Sequence, residues 1–191
     1  LHHIKNNIND LNLQQISFLY LLIQRMDSTP LVDALKIAIP VVFDLNISLK
    51  LDHENPDELR IILKHVTQGN MRVSKKSIMN LISTLTLHGT TYDVYGAQSI
   101  MHSLCKMHPT YYENNMHTIE KLTQNCVSIL NSNFDESNFK NMEQTIWRML
   151  RKFKISNIPA FFDEPLCNKI VKSVIENDLG FISAYYVLRS L

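Results

Sequence analysis

An all-α fold of stacked helical hairpins, an α-solenoid-like repeat array, is predicted by three observations. Apolar residues recur every three or four positions along most of the chain, several helix starts carry a cap followed by proline, and glycine is scarce. Only four glycines and six prolines occur in 191 residues, too few for a turn-rich sheet protein. No sustained period-two pattern bounded by Asn-Gly or Asp-Gly is present.

The periodicity predicts about nine helices. Ile16, Leu19, Tyr20 and Ile23 share one face of the first, roughly 8–26. Thr29-Pro30 supplies a cap and an N1 proline for the second, roughly 29–46, in which Pro40 should kink or split the helix. The polar stretch from Asn46 to His53 reads as a loop and a weak place for a break near 46–54. Asn55-Pro56-Asp57-Glu58 offers an N-cap, an N1 proline and a reciprocal acid at N3, followed by Leu59, Ile62, Leu63 and Val66, for a helix over roughly 55–69. Ser74 caps the next, roughly 74–88, with Ile78, Leu81, Ile82 and Leu85 inward. Helices over roughly 91–107 and 113–132 follow. Asp135 or Ser137 starts one over roughly 137–155, whose stripe is Phe139, Met142, Ile146, Met149, Leu150 and Phe153. The last two span roughly 160–178 and 180–191, and Gly69, Gly89 and Gly180 fall at helix ends. They group into hairpins over 8–46, 55–89, 91–132 and 137–178. The units share pattern rather than residue identity, so one irregular helical domain is the alternative. The chain, which opens on Leu1, reads as a single segment, 1–191, of a longer protein.

Enzymatic chemistry finds little support. The eight histidines (2, 3, 53, 65, 88, 102, 108 and 117) include no pair four apart on a helix, and there is no Cys-x-x-Cys, so no metal is expected. His102 and Cys105 are three apart, without anything to supply an oxyanion hole. Asp57-Glu58 and Asp163-Glu164 lie near helix starts, where the macrodipole explains them. No glycine-rich phosphate loop exists, so neither a nucleotide cofactor nor any other is expected. Cys105, Cys126 and Cys167 read as reduced thiols in a reducing compartment. The longest apolar run, seven residues from Ile37 to Phe43, is far short of the ~20 of a bilayer span, so no membrane insertion is expected.

Charge is less evenly spread than the net of +1 suggests. Through Glu58, eight acids face four bases, a local −4; from Leu59 to Tyr92 there is no acid, and Arg60, Lys64, Arg72, Lys75 and Lys76 give +5. Arg60, Lys64 and Gln68 are four apart and form one stripe. Lys75 and Lys76 occupy a first helical turn, where cations oppose the macrodipole and an incoming phosphate would relieve them. A second stripe holds Lys140, Gln144, Arg148 and Arg151, with Lys152 and Lys154 beside it. If the two stripes share a surface, backbone phosphates of single-stranded RNA could be tracked along it. Two solvated helix faces are the competing reading.

Thr145-Ile-Trp-Arg-Met-Leu-Arg-Lys-Phe-Lys-Ile155 resembles the recurring helix of the FAST kinase domain-containing proteins. Phe161-Phe-Asp-Glu-Pro-Leu-Cys-Asn-Lys-Ile-Val-Lys-Ser-Val174 resembles its partner helix, and Glu58-Leu-Arg-Ile-Ile-Leu-Lys-His-Val66 and Ala97-Gln-Ser-Ile-Met-His-Ser-Leu-Cys105 are weaker echoes of the first. The resemblance implies a mitochondrial helical-repeat region that binds RNA, works in its processing, stability or translation, and meets other RNA-processing proteins. It implies no kinase activity in this segment. A HEAT- or armadillo-like protein–protein scaffold with no nucleic-acid role is the alternative, and it requires an exposed apolar groove in place of a basic one.

Overall fold

The computed structural model describes residues 8–51, 54–89, 91–112 and 116–133, together with four helical residues, Asn168, Lys172, Ile175 and Glu176. Within these residues the chain is all helical: α1 Leu13–Ile23, α2 Pro30–Lys50, α3 Pro56–Gln68, α4 Lys75–Leu87, α5 Val94–Lys106 and α6 Met116–Ser132, with short 3₁₀ turns at Ile8–Asp10 and Pro109–Tyr111. The helices expected over 137–155 and 180–191 lie outside the described residues, as does most of 160–178.

Side chains at helix starts define the elements. Asn55 accepts from the Glu58 N–H at 3.0 Å while the Glu58 carboxylate accepts from the Asn55 N–H at 2.9 Å, the reciprocal pair expected there. Asn12 and Gln15 do the same for α1, and Thr29, Ser74 and Asp93 cap α2, α4 and α5.

Consecutive helices pair as hairpins, α1 with α2, α3 with α4 and α5 with α6. The hairpins stack so that α1, α3 and α5 form one layer and α2, α4 and α6 the other. A single apolar core runs between the layers from Ile8 to Leu130, with Ile16, Phe43, Leu63, Leu81, Ile100 and Leu122 essentially inaccessible to solvent.

Of the kink or split expected at Pro40 the split does not occur, and the loop expected from Asn46 is corrected. Pro40 is buried inside α2 and does not split it, and the predicted loop from Asn46 is helical as far as Lys50. Ile39, Phe43, Ile47 and Leu51 extend the buried stripe through the polar residues between them, so packing carries the helix past its sequence-level stop. The Lys50 ammonium then donates to the Leu11 carbonyl at 2.7 Å, and the Leu13 N–H donates to Glu54 at 3.3 Å. Residues around the expected break therefore tie back onto the start of α1.

Gly69 ends α3, but the left-handed turn belongs to Asn70, at φ +50°. The Met71 N–H reaches the Val66 carbonyl at 2.9 Å and the Asn70 N–H the Thr67 carbonyl at 3.4 Å, a Schellman cap with asparagine in the left-handed position. Gly69 instead allows a close approach: a Cβ there would lie 3.2 Å from the Tyr20 ring, a tight contact.

Candidate nucleic-acid interface

The first basic cluster divides on folding. Arg60, expected to hold phosphate, is only 9% exposed. Its guanidinium lies 3.3 Å from the Asp57 carboxylate, donates to Ser99 of α5 at 3.3 Å and stacks 5.3 Å from the Tyr95 ring centre. It is an internal strut between α3 and α5 and is withdrawn from the phosphate-binding set. Lys64 lies on the outward stripe of α3 with Asp57, Ile61 and Gln68, in the layer of α1 and α5.

Lys75 and Lys76 are exposed in the first turn of α4, in the opposite layer. An anion already serves that helix start. Asp44 reaches over from α2, and both its oxygens accept from the Ser74 N–H, at 3.0 and 2.9 Å. The two lysines thus have an internal reason for their position, a carboxylate that offsets the unfavourable dipole. The second cluster (Lys140, Arg148, Arg151, Lys152 and Lys154) lies outside the described residues.

Arg72 has a different setting. The Asn70 turn leaves it exposed at the α3–α4 corner, beside a cavity of about 410 Å³. Lys106, at the end of α5, and His108, just beyond it, line the same cavity, and no carboxylate does. Among the described residues none of the three forms an ion pair. Met71, Ile78 and Tyr111 provide an apolar and aromatic wall. The Tyr111 hydroxyl donates to the Val73 carbonyl at 2.8 Å, and its ring meets His108 edge-on with centres 6.5 Å apart. Burial pushes the Tyr111 hydroxyl above its ordinary pKa and the Asp44 charge adds to this, whereas the Val73 hydrogen bond and the Arg72 charge act downward.

Lys106 and His108 were not among the expected contacts. The signal was present, because Val94 to Tyr112 is a second stretch without any acid. Its single fixed cation kept it below notice, and only the stacking of α5 on α3 brings it beside Arg72.

Other groups serve structure. Cys126 is buried, and burial pushes its thiol up to about 12, which suits packing and not nucleophilic attack. Cys105 is buried too, with Cys167 outside the described residues. Among the described residues no three His, Cys, Asp or Glu side chains gather as a metal site, and no helix is long and apolar enough to cross a membrane. On α2, Ile37, Val41, Leu45 and Leu49 form an outward apolar row, 74%, 56%, 68% and 75% exposed. No family model matches this chain, and neither a curated protein nor a solved structure is found similar to it.

Proposed function

We propose that this chain is an RNA-binding helical-repeat segment of a protein that acts in mitochondrial RNA processing, stability or translation. The observation that carries the RNA contact is the corner where Arg72, Lys106 and His108 converge with no carboxylate among them. Two cations, Arg72 and Lys106, share one concavity and repel one another, and a polyanion relieves that repulsion, with the His108 imidazole beside them as a hydrogen-bonding group. Lys64, on the α3 stripe leading toward this corner, extends the track, and Lys75 and Lys76 serve only a strand that wraps onto the other layer. The mitochondrial setting rests on the resemblance to the FAST kinase domain-containing proteins alone.

The test is a salt series with a labelled single-stranded RNA. Contact with three or four phosphates gives a log–log slope of roughly −2 to −3. Arg72→Glu should weaken binding about tenfold, the effect of ~1.4 kcal/mol. A flat salt response, or unchanged affinity in Arg72→Glu, refutes the RNA reading.

The outward row on α2 favours a second reading, a helical protein–protein scaffold. Under it the chain has no RNA affinity, and placing lysine at Leu45 and Leu49 abolishes association seen by sedimentation without loss of helical signal.

A further inference from the structure

We infer that the cavity between the α3–α4 corner and the end of α5 receives a single phosphate-bearing nucleotide, with Lys106 and His108 as phosphate ligands alongside Arg72. The inference rests on the RNA reading and gives that reading a location.

Three features of the cavity select this chemistry. Its polar ligands come from separate elements, the Arg72 cation from the α3–α4 turn and the Lys106 cation and the His108 imidazole from the end of α5. Helix-end electrostatics account for Lys106, which lies in the last turn of α5, because the terminal carbonyls attract a cation. They do not account for Arg72, four residues beyond Gln68 at the end of α3, or for the lack of any carboxylate on the lining.

The second feature is the apolar and aromatic part of the lining. Met71, Ile78, Met107 and Tyr111 line the same cavity as Arg72 and Lys106, and of these four the half-buried Tyr111 ring offers the most accessible aromatic surface. A bare phosphate has no use for such a surface, whereas a nucleotide carries an anionic group and a flat base on one small molecule. The volume of about 410 Å³ falls within the range of small-ligand sites.

The third feature is preorganisation. The Schellman cap holds Asn70 and Met71, and the Tyr111 hydroxyl is anchored on Val73. The Thr110 hydroxyl is 2.9 Å from His108 Nδ1 and the Thr110 N–H donates to the same nitrogen at 3.4 Å, so Nε2 carries the ring proton and is the nitrogen left to bind a ligand. Asn70, Met71 and Tyr111 therefore need little ordering on binding, and the ordering cost falls on the exposed Arg72 and Lys106 side chains.

The experiment has two arms. In the first, the chain and its Lys106→Ala, His108→Gln and Lys121→Ala variants are titrated with labelled single-stranded RNA across salt. Lys106→Ala is expected to weaken binding five- to tenfold and to flatten the slope by about 0.7. His108→Gln weakens it less, and Lys121→Ala, an exposed cation on α6, leaves it unchanged. In the second arm uridine and adenosine 5′-monophosphates, uridine and inorganic phosphate compete with the RNA. The monophosphates should displace it at lower concentration than phosphate, and uridine should be the weakest competitor. Should Lys106→Ala and His108→Gln bind RNA as the parent does while the steep slope persists, the nucleotide site is refuted and the RNA reading stands. Equal competition by inorganic phosphate and the monophosphates reduces the cavity to a simple anion site and also refutes the nucleotide. Absence of any RNA affinity refutes both.

Discussion

Arg60 shows how an ordinary surface residue becomes structural. Its spacing with Lys64 and Gln68 describes a solvated stripe, yet α3 packs on α1, α4 and α5, and Arg60 falls on the face toward α5. There its charge is met by Asp57 and its plane by Tyr95. Arg60→Met should cost about 1–3 kcal/mol in urea unfolding, because it leaves the Asp57 and Ser99 partners with one neighbour fewer. RNA affinity per folded molecule should not change. A weakened RNA complex with unchanged stability would return Arg60 to the binding surface.

At the scale of the element, helix starts proved more legible than helix stops. Asn55, Thr29 and Ser74 work within three residues of themselves, so a local rule finds them. Stops depend on what the next turn can bury. Ile47 and Leu51 keep α2 going past Asn46, and Asn70 takes the left-handed position that Gly69 would have been assigned. Replacing Asn70 by valine should therefore cost about 1–2 kcal/mol relative to Asn70→Gly, read as a shift of the urea midpoint at constant slope. Because Asn70 also shapes the corner beside Arg72, the valine variant should lose RNA affinity as well. The glycine variant should keep it.

For the whole molecule, cohesion depends on how hairpin stacks on hairpin, and one contact makes that stacking sensitive to pH. His65 of α3 meets Ser17 of α1 at 3.1 Å and packs on the Phe18 ring. Burial holds its imidazole below the ordinary histidine value, and the Lys64 charge pushes the same way. The unfolded chain then binds a proton that the folded chain refuses. Stability from this group is complete above about 6.5 and is lost as pH falls through the lower folded value. Glu54 works in the opposite sense. Burial and its neighbour Glu58 raise its pKa, so acidification toward the carboxylate range relieves a cost already present at neutral pH. His65→Gln should remove the stability loss that sets in as pH falls below the ordinary histidine value of about 6.5, while leaving the Glu54 response at lower pH. A variant whose pH–stability curve overlays that of the parent in urea titrations contradicts this assignment.

Sequence alone determined the helical class, the hairpin pairing and most caps, because these depend on residues three or four positions apart. It also identified the acid-free stretch from Leu59 to Tyr92 that contains Arg72. Tertiary structure alone decided which cations face solvent. Stacking α5 on α3 turned Arg60 inward and brought Lys106 and His108 to Arg72, while pairing α2 with α4 set Asp44 on the start of α4. The physical reason is range. A helix face follows from local periodicity, but the neighbour that covers it comes from elsewhere in the chain, and the charge of a site is the sum over all its walls.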